Sequence, residues 1–450
     1  GRRQCRPAPF LPEAREGVSA LSFYRKTTLP NGLRVITEAI PYVRSASVGI
    51  WVGAGSNWES PVDSGISHFI EHMLFKGTKN RTARQIAQAI DSRGGSLNAF
   101  TAKEQTCYYA KVLDEHLPIA FDVLSDMILQ SNFDPADIDK EKGVIIEEIK
   151  MYEDVPDDVV HDLFITAMWP DHALGRPIVG TTDTVQSFNR EAIFRYFDSH
   201  YTPEHTVIAV AGHLEHDAVV ELVSQKFAGM AARPGAGARV WPAPPARAKG
   251  SRALIRVKDT EQAHLVVGME GLAHDDDDVY ALHLINTVFG GGAASRLFQE
   301  IREERGLAYS VYSYQTGFRD TGNFAVYAGT SPAMLPQVLD LTLQMYRELG
   351  EKGLTAEELA EAKEQLKGQT MLALESTSGR MTRLGRGELM LGRVLSPDQI
   401  VQRIDSVTHD QVMALCRRLF LEEPKVLSAV GPLEESLDLA SYGFTEVSHG

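Results

Sequence analysis

The chain has 450 residues, with 45 lysines and arginines against 60 aspartates and glutamates, a formal charge of −15. At roughly 150 residues per domain this length calls for two to four units, and the acidic balance argues against a nucleic-acid polyanion while suiting basic peptides or small neutral ligands. Three scattered cysteines, Cys5, Cys107 and Cys416, argue against a disulfide framework or a thiolate zinc site and for a reducing compartment; with no run of about 18 apolar residues, a soluble protein that contacts no membrane is expected.

Residues 1–24 have no continuous apolar core of the signal-peptide kind and read as a flexible arm. Ordered structure begins with "TTLPNGLRVITEAI", where Asn31-Gly32 is a tight-turn pair between strand-type residues. "SASVGIWVGAG" continues as strand. "SGISHFIEHMLFKGT" then reads as a mostly buried helix, and a second helix is predicted near Thr82 to Arg93. "GGSLNAFTAKEQTCYYAKVL" is a strand pair opened by Gly94-Gly95, followed by helices at about His116 to Gln130 and Pro135 to Tyr152.

Residues 229–250, dense in Ala, Gly, Pro and Arg, read as a linker. Beyond it the same order returns: strand "AHLVVGME", helices "DDVYALHLINTVFG" and "ASRLFQEIREERG", strands "AYSVYSYQTG" and "GNFAVYAGT", and helices near Met334 to Gly350 and Thr355 to Glu375. The stretch around Ile138 lies over that around Leu359 in pattern, with Gln369 opposite Glu148. This is an internal duplication of halves of about 200 residues, 25–228 and 251–450, and only the first half carries His-x-x-Glu-His.

Three ionisable groups, His68, Glu71 and His72, interrupt an apolar helix, where burial is costly unless something pairs with them. At about 100° per residue His68 and His72 stand one above the other and can offer two imidazoles to one ion, with Glu71 beside them. A catalytic zinc site wants three protein ligands and an open position; bound zinc brings a water's pKa near 7, and an adjacent carboxylate can take its proton. Glu148 is the candidate third ligand. Glu141, two helical turns earlier on the same face, suits an acceptor for a histidine N–H. The bland alternative at this point is a pair of core histidines with Glu71 pairing one of them.

"HFIEHMLFKGT" followed 76 positions after His72 by Glu148 resembles the inverted-motif zinc peptidases of the pitrilysin, or M16, family. "SRLFQEIREERGLAYSVYS" resembles its bacterial branch related to the mitochondrial processing peptidase β subunit. The resemblance implies an α+β fold of two homologous halves, each a mainly antiparallel sheet packed with helices (LuxS/MPP-like), closing as a clamshell around a chamber. It implies one Zn2+ held by His68, His72 and Glu148, Glu71 as general base, and Glu141 as the acid behind a ligand. Asn98, Ala99 and Phe100 in "SLNAF" match an edge strand that pairs with substrate backbone. Arg302 and Tyr309 match the pair that reaches the substrate carbonyl. Asp158 and Asp162, four apart on one helical face, resemble the acidic pair that receives a basic residue near the scissile bond. The expected partners are peptide substrates and a second copy of the chain as a homodimer, in a bacterial cytoplasm. The competing class is a non-catalytic binding or assembly subunit, which usually lacks part of the ligand set.

Overall fold

The structure is a computed structural model that describes residues 23–230, 241–433 and 438–449. The first half forms a six-stranded sheet from β1 (Arg25–Thr28), β2 (Arg34–Ala39), β3 (Ser45–Val52), β4 (Ser96–Thr101), β5 (Thr106–Leu113) and β6 (Thr206–Gly212), in the order β1-β2-β6-β3-β5-β4. Its only parallel pair is β2 with β6. The Asn31-Gly32 turn joins β1 to β2: Gly32 has φ +93° and the Leu33 N–H donates to Asn31 Oδ1 at 3.1 Å. Helices α1 (Ile66–Leu74), α2 (Ala83–Asp91), α3 (Leu117–Gln130), α4 (Pro135–Asp154), α5 (Pro156–Met168), α6 (Thr182–Ser187), α7 (Arg190–His200) and α8 (His216–Lys226) accompany it.

The second half repeats the plan with β7 (Arg252–Val257), β8 (Ala263–Glu270), β9 (Ala308–Gly317), β10 (Gly322–Thr330), β11 (Val426–Gly431) and β12 (Glu446–His449), ordered β12-β7-β11-β8-β10-β9. Replacing β2, β6, β3, β5 and β4 by β7, β11, β8, β10 and β9 converts one order into the other, so the duplication read from the sequence is a duplication of topology. The sixth strand breaks it. In the first half β1 pairs antiparallel with β2, whereas β12, from the far end of the chain, lies parallel to β7. The second sheet is therefore more mixed than expected, with β7 parallel to both neighbours.

Its helices are α9 (Val279–Gly290), α10 (Leu335–Lys352), α11 (Ala356–Ala373), α12 (Thr377–Leu391), α13 (Pro397–Ser406) and α14 (His409–Arg417). The helix expected over "ASRLFQEIREERG" is present, mostly as a seven-residue π-helix at Phe298–Glu304. Matching caps support the alignment of halves: Asp134 accepts from Ala136 N at the start of α4, and Thr355 forms a capping box with Glu358 at the start of α11.

The halves exchange a helix. One face of each sheet packs on its own helices, through Phe69, Ile70, Phe121 and Leu124 in the first half and Leu284, Ile285, Phe289 and Val338 in the second. The other face is covered by the partner half. Helix α5 lays Val159, Val160, Leu163 and Phe164 against Val266, Val426 and Val430, and α12 lays Met381 and Leu384 against Trp51, Val207 and Ala209. Burial on both faces explains why β6 and β11 are mostly apolar and lack alternation, with every residue of each strand buried. It also means that the boundary drawn at 229–250 separates the sheets but not the cores.

Buried charge pins the exchange. Glu38 on β2 accepts from Arg383 at 2.9 Å and also from Arg380, and Glu388 on α12 pairs with Lys26 at 2.7 Å and Arg34 at 3.3 Å. From the other side, the Ser428 hydroxyl donates to the Val160 carbonyl at 2.7 Å. Residues 1–22, most of the expected arm, and 231–240 within the expected linker lie outside the described residues; Phe23 and Tyr24 pack beside Trp51. Among the described residues no helix is long and apolar enough to cross a membrane.

Candidate metal centre and peptide cleft

Helix α1 starts without a side-chain cap of its own. Glu59, buried in the preceding loop, accepts from Gly65 N at 2.7 Å and Ser67 N at 2.8 Å, supplying negative charge where the helix has free N–H groups. Gly65 has φ +93° and a Cβ there would lie 2.7 Å from the Val179 carbonyl oxygen, so only glycine enters this helix at this angle. The sequence reading passed over Glu59. The signal available was a glutamate ahead of Ser-Gly-Ile at a helix start lacking an ordinary cap.

This start aims one face of α1 at the middle of α4. His68 Nε2 lies 3.8 Å from Glu148 Oε1 and His72 Nε2 3.5 Å from Glu148 Oε2. One ligating atom from each of the three lies within 4.8 Å of the others. Zinc with bonds of 2.0–2.2 Å in a tetrahedral site needs donors about 3.4 Å apart, so this set fits the ion with small adjustments. Burial, with His72 beside it, pushes His68 down to about 3, which keeps its imidazole neutral and able to donate a lone pair. Glu141 Oε1 stands 2.8 Å from His72 Nδ1, leaving His72 Nε2 to face Glu148. His68 Nδ1 is buried with no such partner among the described residues.

Glu71 comes from the same helix, and burial raises its pKa above the ordinary carboxyl value. Thr101, the last residue of β4, donates to Glu71 Oε2 at 2.5 Å. Both belong to a cavity of about 420 Å3 with His68, His72, Glu148, Ala99, Phe100, Tyr152 and Asp162 in its wall. Strand β4 is the sheet's outer strand on this side, as the reading of "SLNAF" required. Asn98 does not line the cavity; its Oδ1 accepts from the next residue's N–H, Ala99 N, at 2.8 Å.

The remaining expectations divide. Asp162 lines the cavity and Asp158 does not; burial raises the pKa of both. Arg302 and Tyr309 do come together, the guanidinium 4.7 Å above the phenol ring, but Tyr309 is 76% exposed and neither residue lines the cavity around Glu71. The spacing that made them a pair holds; their reach to the metal side is not present in this conformation.

Two family models match the chain, one described as "Insulinase (Peptidase family M16)" over residues 34–182 and one as "Peptidase M16 inactive domain" over 187–366. Similar proteins include one named "Uncharacterized zinc protease" from Streptomyces coelicolor, 47% identical over 93% of this chain and 92% of that one. Another, named "Uncharacterized zinc protease YmxG", from Bacillus subtilis, is 45% identical over 89% of this chain and 96% of its own. Among solved structures, a peptidase M16 inactive domain from Pseudomonas fluorescens has a TM-score of 0.83 at 20% identity, covering 91% of this chain and 98% of that one. A protease from Helicobacter pylori gives 0.83 at 22% identity, covering 90% and 99%. At those identities the likeness is one of fold.

Proposed function

The chain belongs to peptidase family M16, and on that premise we propose that it is a zinc-dependent endopeptidase cutting extended peptides held between its halves. The observation that carries this reading is the convergence of His68, His72 and Glu148, with Glu71 in the same cavity wall. Zinc, when bound there, would lower the pKa of a water and polarise the scissile carbonyl.

The chain's own groups account for the rest. An extended peptide adds to the free edge of β4, where the Ala99 N–H, now satisfied by Asn98, becomes available to a peptide carbonyl. Glu71 takes the proton of the attacking water at one carboxylate oxygen while Thr101 holds the other, then returns it to the leaving amine. Its raised pKa suits both transfers. Asp162, in the same wall, supports a preference for a basic side chain near the bond. The part assigned by resemblance to Arg302 and Tyr309 would require the second half's edge to come nearer than it stands here.

The test is cleavage of quenched peptides by the zinc-loaded chain. Activity should vanish on chelation and return with zinc, and Glu71→Gln should keep one zinc per chain while losing at least about a hundredfold in kcat. A Glu71→Gln chain with normal turnover would refute the assigned base. Zinc binding without cleavage of any peptide would favour the non-catalytic subunit.

A further inference from the structure

Beside the metal-side cavity lies a second, of about 480 Å3, walled by both halves. Asp162 and Ile178 belong to both. The chain also links them in sequence: Ala99, Phe100 and Thr101 line the first, and the next four residues, 102–105, line the second. A peptide laid along β4 advances about 3.3 Å per residue. One that fills the first space and continues past Thr101 therefore enters the second within a few residues.

Apart from Asp162, the charged groups in this wall are already engaged. Both Glu104 carboxylate oxygens accept from the Arg319 N–H at 3.1 Å, Arg386 donates to His274 Nε2 at 3.2 Å, and the Lys103 ammonium donates to the Arg176 carbonyl. What they leave is apolar and aromatic: Ile165, Ile178, Tyr314, Phe318 and Met390. Gln105 also belongs to this wall, with its Oε1 buried rather than facing the space.

We propose that this cavity is a specificity subsite that takes a large aromatic side chain of the bound peptide, such as tryptophan or tyrosine, a few residues from the scissile bond on the Thr101 side. The inference rests on the peptidase reading above. Such a side chain buries 150–250 Å2 against the apolar and aromatic wall; alanine at the same position would leave the space unfilled.

The experiment uses a decapeptide series in which each position in turn is Ala, Leu, Tyr, Trp or Asp. The zinc-loaded chain should favour Trp or Tyr over Ala by at least about tenfold in kcat/KM at one position, in line with the 1–3 kcal/mol that apolar pockets discriminate. Thr316→Trp, which inserts an indole from β9, should bring that ratio close to one. Met390→Trp does the same from α12, and the thermal midpoint identifies which variant is folded. Cleavage with no aromatic preference at any position, or a preference that persists in a folded variant, overturns the subsite. Binding of the labelled peptides to Glu71→Gln separates the two claims. If the wild type cuts nothing yet Glu71→Gln binds the Trp peptide tenfold tighter than the Ala peptide, the subsite stands and the peptidase reading falls.

Discussion

His72 Nδ1 stands 2.8 Å from Glu141 Oε1, and the other oxygen of that carboxylate is 2.6 Å from Lys76 Nζ. Burial alone would raise the Glu141 pKa; the hydrogen bonds from His72 and Lys76 outweigh it and hold the carboxyl below its usual range. An ionised carboxylate can only accept, so the His72 proton sits on Nδ1 and the Nε2 lone pair is the one turned toward Glu148.

Replacing Glu141 should therefore weaken metal binding without removing a ligand. Glu141→Gln is expected to raise the zinc dissociation constant 10–100-fold, read by competition with a chromophoric chelator. An unchanged constant would show that the α1–α4 packing orients His72 unaided.

Tyr309 offers a test of whether the halves move. If its phenol donates to the substrate oxygen in a more closed state, Tyr309→Phe should lower kcat by about 10²–10³ with little change in KM. A residue that stays where it lies here, 76% exposed and stacked under Arg302, would tolerate the change with no kinetic effect.

The exchanged helices make a prediction about stability. Gly385 of α12 sits so close to β3 that an added Cβ would be 2.2 Å from Trp51 Nε1, and Gly49 opposes Met381 Sδ at 2.5 Å in the same way. Gly385→Val should cost about 1–3 kcal/mol, or more if α12 cannot shift, and lower the thermal midpoint. An unchanged midpoint would mean that α12 does not depend on this close seat.

Glu104 adds a pH dependence. It is buried, and desolvation raises its pKa from 4.5 to about 7. Between those values the folded chain holds the proton and the unfolded chain does not, so this group's contribution to stability is greatest near the low end and is lost as pH rises through 7. At about 1.36 kcal/mol per pKa unit, the wild type should lose about 2 to 3 kcal/mol more than Glu104→Gln between pH 5 and 8 in urea unfolding. Parallel curves would place the charge in better-solvated surroundings than the cavity wall suggests.

What the sequence revealed follows from where the information is local. The His68, Glu71, His72 face needed only helical periodicity, and Glu141 and Glu148 were legible because seven residues make two turns of one helix. The repeat made β8, β9 and β10 predictable from β3, β4 and β5. Nothing local tells α5 or α12 which sheet to cover: an apolar stripe such as Val160, Leu163 and Phe164 demands burial but names no partner. Strands β6 and β11 carry no alternation because both faces are covered, a consequence of the same exchange. Arg302 and Tyr309 show the remaining limit. Their spacing brings the guanidinium over the ring, yet the distance from that edge to Glu71 is set by how the two halves meet.

The most direct measurement is an anomalous-scattering map at the zinc edge from crystals of the zinc-loaded chain. The account predicts one peak per chain, bonded to His68 Nε2, His72 Nε2 and a Glu148 oxygen at about 2.0–2.2 Å, and no peak in Glu148→Ala. A zinc-saturated chain with no density between those three side chains, or with its ion held elsewhere, would contradict it.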